Sequence, residues 1–127
     1  MNEKRLQSVT YEQAKRLKRL GFNYETDDYT FPNYDYICTG QKYRDWNYPQ
    51  NGECISVPTV ALTLKFIRDK KGLYGLIDRN PAHWYFCICN MVDGIVVVES
   101  YDLYNDYEDV ENALLDELIT LLEETGL

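Results

Sequence analysis

At Gly72 the apolar spacing of this chain changes from a repeat of three and four residues to a repeat of two, and this switch constrains what can stand on either side of it. Upstream, Val60, Ala61, Leu64 and Ile67 recur on one helical face. Lys65, Arg68, Lys70 and Lys71 fall toward water or toward the C-terminal end, where the helix dipole favours cations. Ser56-Val57-Pro58 reads as the helix start, because a proline in the first turn loses only an N–H that has no partner there. Gly72 reads as the stop. The spacing predicts an amphipathic helix over 57–71 lying on a sheet.

Downstream, Leu73–Asp78, His83–Asn90 and Ile95–Ser100 read as three strands of a β-meander. Asn80-Pro81 breaks the first run, since the residue before a proline is pushed out of the helical region, and Asp93-Gly94 supplies the second turn. On the middle strand His83, Tyr85, Cys87 and Cys89 share one face, and Trp84, Phe86 and Ile88 the other. Both faces are largely apolar, which predicts a central strand covered on both sides. The unbroken β-branched run Ile95–Val98 predicts a well-buried strand.

Val9-Thr10-Tyr11-Glu12-Gln13-Ala14 has the form of a capping box with a hydrophobic staple, and Gly21-Phe22 closes the helix it opens as a left-handed cap. Ala14, Leu17 and Leu20 form a narrow apolar stripe, while Lys15, Arg16, Lys18 and Arg19 read as a solvated outer face. A third helix is predicted over 107–123, capped by Asn105 or Asp106, with Glu108, Asp109 and Glu111 favourably near its N-terminus. Val110, Leu114, Leu118 and Leu121 form one stripe that Leu115, Ile119 and Leu122 widen beyond what a sheet alone needs. The surplus calls for a second neighbour, either another helix of the chain or the same helix of a second subunit in a homodimer.

Between Phe22 and Gly52 the pattern is irregular and rich in tyrosine, too aromatic for disorder. Tyr34–Thr39 alternates well enough for one strand, and the remainder reads as loop. Tyrosine offers contact area at low entropic cost together with a hydroxyl for a wet rim. Tyr34, Tyr36, Tyr43, Trp46 and Tyr48, joined by Tyr104, Asp106 and Asp109 from the acidic stretch, are therefore the candidate binding residues. The competing reading is an insert over 22–52 that merely wraps the open sheet.

The sequence predicts a single α+β domain over 1–127, with a three- or four-stranded antiparallel sheet and about three helices packed on it. Its net charge of -8 is uneven: Lys4, Arg5, Lys15, Arg16, Lys18 and Arg19 stand against Glu3 and Glu12 near the start, whereas Asp93 to the end holds no lysine or arginine. Acidic excess argues against nucleic acid as a partner. No run approaches the length of a membrane span and no leader is visible, so the expectation is a cytoplasmic protein. Cys38, Cys54, Cys87 and Cys89 suit a reduced compartment.

Cys87, Cys89, His83 and Cys38 are ligand types that zinc prefers, but alternate residues of one strand do not make a zinc knuckle, and no metal or other cofactor is expected. Cys87 with His83 as base is a candidate nucleophile on residue type alone. Asp27-Asp28 and Asp106 with Asp109 lack the spacing of a calcium loop. Phosphate-binding loops, serine elbows and zinc-protease helices have no counterpart here, and no catalytic residue is assigned.

Ser8-Val9-Thr10-Tyr11-Glu12-Gln13-Ala14-Lys15-Arg16-Leu17-Lys18-Arg19-Leu20-Gly21-Phe22 matches an S-x-x-Y-E-Q-A-K-x-L-K-x-L-G-F opening. An aromatic insert, Val57-Pro58-Thr59 before a helix with Phe66-Ile67-Arg68-Asp69-Lys70-Lys71-Gly72, and an acidic Tyr107-Glu108-Asp109-Val110-Glu111-Asn112-Ala113-Leu114-Leu115 follow. In this order the chain resembles small proteins of bacterial phages and integrated mobile elements, especially of gut bacteria, in which the position of Phe66 tends to be tryptophan. The resemblance implies a mobile-element accessory protein and carries over no catalytic residue. The expected function is a non-enzymatic protein-binding module with an unknown protein partner. The alternatives are an acidic inhibitor that mimics nucleic acid toward a host defence nuclease, and a small enzyme with an unrecognised site.

Overall fold

The computed structural model describes residues 7–100 and 103–126; Glu3, Lys4 and Arg5, invoked above for the basic start, lie outside them. The fold is α+β. Helix α1 (Tyr11–Arg19) is followed by strands β1 (Thr26–Thr30), β2 (Cys38–Arg44) and β3 (Ile55–Val57). Helix α2 (Val60–Phe66) continues into a π-helical turn, Ile67–Lys71. Strands β4 (Leu73–Arg79), β5 (Trp84–Asn90) and β6 (Val96–Glu99) then lead to helix α3 (Tyr107–Thr125). The chain divides into two compact units, Met1–Thr63 and Leu64–Leu127, each with its own three-stranded antiparallel sheet. Among the described residues no helix is long and apolar enough to cross a membrane.

In the first unit the ends of α1 are satisfied locally. The Gln13 N–H donates to Thr10 Oγ1 at 3.1 Å while the Thr10 N–H donates to Gln13 Oε1 at 2.9 Å, a closed capping box. At the other end Gly21 takes φ +87°, the Phe22 N–H reaches the Leu17 carbonyl at 3.0 Å and the Gly21 N–H that of Lys18 at 3.1 Å, the paired bonds of a Schellman cap. Val9, Ala14, Leu17 and Phe22 are buried, whereas Lys18 does not only face water: its ammonium donates to the Cys54 carbonyl at 2.7 Å.

The sheet order is β2-β1-β3, so the aromatic insert is not mostly loop. The strand expected over Tyr34–Thr39 starts at Cys38 and runs to Arg44. Tyr34 is held in a turn by its N–H bond to the Phe31 carbonyl at 3.0 Å, which ends extended pairing before Tyr36. Ser56 and Val57 belong to β3 rather than to a helix start, because backbone pairing with Tyr29 and Asp28 claims them first. Pro58 ends that strand, and Thr59 caps α2 by accepting the Leu62 N–H at 3.1 Å. On α2 the buried positions are Val60, Thr63 and Phe66, with Ile67 buried at the start of the π-helical turn as expected; Ala61 is exposed and Leu64 half-buried, so the inward face of α2 is turned from the one expected. Asn47 ties the unit together: its Nδ2 donates to the Phe22 carbonyl and its Oδ1 accepts the Ser56 N–H, both at 2.9 Å.

In the second unit β4, β5 and β6 form the expected meander with β5 central. Gly75 pairs with Ile88 on the face that α3 covers, and the missing side chain makes room for Leu114, whose Cδ atoms lie 2.5 Å from where a Cβ would stand. Asp106 caps α3 by accepting the Asp109 N–H at 2.8 Å, and Val110, Leu114, Leu115, Leu118, Ile119 and Leu122 are all buried. Leu121, the remaining member of the predicted stripe, is half-buried. Two expectations fail here. β5 is central as expected, but its coverage is incomplete: Phe86 and Ile88 on one face and Cys89 on the other are buried, whereas Trp84, Tyr85 and Cys87 are half-buried. β6 is an exposed edge strand rather than a buried one, with Val97 47% exposed, because the meander places it last in the sheet.

Candidate functional site

The aromatic residues of the first unit assemble into a continuous row. The Arg44 guanidinium sits 4.8 Å from the Trp46 ring, Trp46 stacks on Tyr29 at 4.1 Å, and Tyr29 meets Phe31 edge-on at 6.0 Å. Phe31 packs on Tyr34 at 5.0 Å, and Tyr34 stacks on Tyr36 at 4.7 Å. Strand periodicity explains the middle of the row: Tyr29 and Phe31, two apart, project on one side as β1 runs out into the Phe31–Tyr34 turn. Gly40 explains the seat of Trp46, since a Cβ there would lie 2.6 Å from the indole and 2.8 Å from the Asp27 carbonyl.

Among the rings, exposure rises toward Tyr36. Trp46, Tyr29 and Phe31 are half-buried, whereas Tyr34 is 37% and Tyr36 57% exposed. The Trp46 indole N–H donates to the Thr26 carbonyl at 2.9 Å, which fixes the ring and occupies its donor. Thr30 Oγ1 donates to the Tyr36 carbonyl at 2.8 Å and holds the far end. Desolvation in the stack, and next its hydrogen bond with Tyr34, raise the Tyr36 phenol above its ordinary pKa, and desolvation does the same first for Tyr29.

The structure brings Tyr34, Tyr36 and Trp46 together but separates the other candidates. Tyr48 is exposed at the start of the 3-10 turn Pro49–Asn51. Tyr43 stands on the rim of a cavity of about 460 Å³ that also takes in Asp27, Asp28 and Thr59. That cavity forms where β2 bulges: Thr26 pairs with Arg44 but Asp28 with Thr39, leaving 40–43 opposite Asp27. Tyr104 is structural, its N–H and C=O bonded to Trp84 at 2.9 and 2.8 Å and its ring stacked on Phe86. Asp106 is occupied as the α3 cap, and Asp109 is exposed in the first turn of that helix. Tyr29 and Phe31 complete the row and were not among the candidates. Their signal was the two-residue spacing, masked by the polar look of Thr26-Asp27-Asp28.

The cysteine chemistry weighed above finds no support in the geometry. His83 and Cys87 are four residues apart along extended chain, roughly 13 Å at a strand's rise per residue, beyond proton-transfer reach. Burial, and then its hydrogen bond with Cys89, push the Cys87 thiol up; burial likewise raises Cys54. The four cysteines are free thiols. Among the described residues no three His, Cys, Asp or Glu side chains converge as a metal site would require. No protein-family model, curated protein or solved structure matches this chain.

Proposed function

We propose that this chain is a protein-binding module that engages its partner through the aromatic row from Arg44 to Tyr36. The carrying observation is the row itself, a stacked series of rings held from behind by the Trp46 and Thr30 hydrogen bonds and increasingly open toward Tyr36. A surface already ordered loses little side-chain entropy on binding, and tyrosine, tryptophan and arginine are the residues that dominate interface energetics. Because the indole N–H is occupied, Trp46 contributes ring surface, and polar recognition falls to the tyrosine hydroxyls and Arg44. Stacked rings also suit unpaired bases. Here Asp27, Asp28 and Asp35 lie in the same segment and the net charge is -8, which repels phosphate and favours a polypeptide. The resemblance to mobile-element proteins supports an accessory role in which that polypeptide belongs to the host.

The test is capture by the tagged protein from a nuclease-treated lysate of its own cell, in parallel with a Tyr34→Ala/Tyr36→Ala variant whose melting curve is checked first. A stoichiometric protein held by the parent and lost by the folded variant is the expected result. Equal capture by both, or capture that vanishes with nuclease, overturns the reading.

A further inference from the structure

β6 is the last strand of its sheet, and among the described residues nothing pairs with its outer side. The Ser100 N–H donates inward to the Phe86 carbonyl at 2.9 Å, so strand alternation turns the Glu99 N–H away from β5. Natural edges are normally guarded by lysine, proline or a covering segment. The segment 91–100 contains no lysine, arginine or proline; its guards are a length of four residues, Glu99 and one bulge, with Val97 the extra residue between Val96 and Val98. Its apolar side chains are displayed instead: Val92 is 92% exposed and Ile95 63%, with Val96 and Val97 beside them.

The charge around this edge selects the occupant. Asp93 and Glu99 flank the strand, and the chain from Asp93 onward holds no cation. A second copy would bring these carboxylates together, which costs free energy in directly opposed strands. We propose that the free edge of β6 receives an extended, lysine- or arginine-bearing segment of a partner protein as a fourth strand. Backbone bonds supply the pairing, while alternate side chains meet Val97 and the flanking carboxylates. This site lies in the second unit and does not depend on the aromatic row.

The probe is a fluorescein-labelled nonapeptide alternating lysine and valine, titrated by fluorescence anisotropy into the whole protein. Controls are a glutamate–valine peptide and a lysine–proline peptide, the latter equal in charge but unable to form a strand. Val97 is exposed, so Val97→Glu and Val97→Lys should both fold, which melting curves verify. The lysine–valine peptide should bind the parent, bind Val97→Glu at least threefold more tightly, and bind Val97→Lys at least tenfold more weakly, with neither control binding. Absence of binding by the lysine–valine peptide overturns the proposal. So does equal binding of the lysine–proline peptide, which would mean charge without strand addition. A dimer in sedimentation that Val97→Lys disperses would identify a second copy as the occupant and overturn it as well.

Discussion

Replacing Gly75 with alanine should destabilise the second unit even though the backbone there would accept it. Gly75 is not among the glycines with positive φ, so β4 itself would gain about 0.5–1 kcal/mol from the less flexible residue. The new methyl, however, would stand 2.5 Å from both Leu114 Cδ atoms and 2.9 Å from its Cγ. Leu114 is only 1% exposed, so any shift must repack buried neighbours, and overpacking of about 1–3 kcal/mol outweighs the gain. The net loss should be about 0–2.5 kcal/mol, a drop in Tm of up to roughly 10 °C for a chain of this size. Leu114→Ala alone should cost about 2–5 kcal/mol through the void it leaves. In the double variant the methyl at 75 partly fills that void, so the combined loss should be smaller than the sum by about 1 kcal/mol or more. Equilibrium urea unfolding of the parent and the three variants measures the cycle. Losses that add to within about 0.5 kcal/mol would refute the packing argument.

Two further perturbations probe each unit by other means. Burial raises the Glu111 carboxyl above the 4.5 of a free glutamate, partly offset by the Tyr107 hydroxyl and reinforced by Glu108. The folded state thus holds this proton more tightly than the unfolded one, a contribution present below the unfolded pKa and lost as pH rises through the folded value. Glu111→Gln should therefore melt higher than the parent at neutral pH and lose that advantage near about pH 4; a constant difference across this range would contradict the assignment. Asn47→Ala removes the acceptor of the buried Ser56 N–H and one donor to the Phe22 carbonyl, a loss of about 1–3 kcal/mol from the orphaned Ser56 N–H. Asn47→Asp keeps the first bond and should fall between, which thermal melts will show.

The meander, the α1 caps and the Asp106 cap were legible because each is written in short-range chemistry: a period of two, Thr10 three residues before Gln13, Gly21 before Phe22. The first sheet was harder to see. Thr26–Thr30 carries two aspartates and a tyrosine, so its alternation is not hydrophobic, and β3 is only three residues long beside a proline. Those strands are specified by pairing with each other and by Asn47, which no window along the chain reveals. The reading of Ile95–Val98 failed for the opposite reason: β-branched residues report that a strand forms, whereas burial depends on its place in the sheet. For the same reason composition left the aromatic insert open between a binding surface and a wrapping segment, and only the fold distinguishes the stacked Tyr34 and Tyr36 from the exposed Tyr48 and, beyond the insert, from the structural Tyr104.

The π-helical turn at Ile67–Lys71 carries one residue more than an α-helical path between the same ends would need. Arg68, Asp69 and Lys70 within it are exposed, while Ile67 before them and Leu73 after them are buried anchors. Loss of one of the exposed residues would relax the turn toward α geometry and leave both anchors in place. Loss of a second would swing Leu73 by about 100° around the helix axis and out of its seat. The junction between helix and meander is therefore a vernier with a single step of slack, and related sequences can differ in length there by one residue without repacking either side.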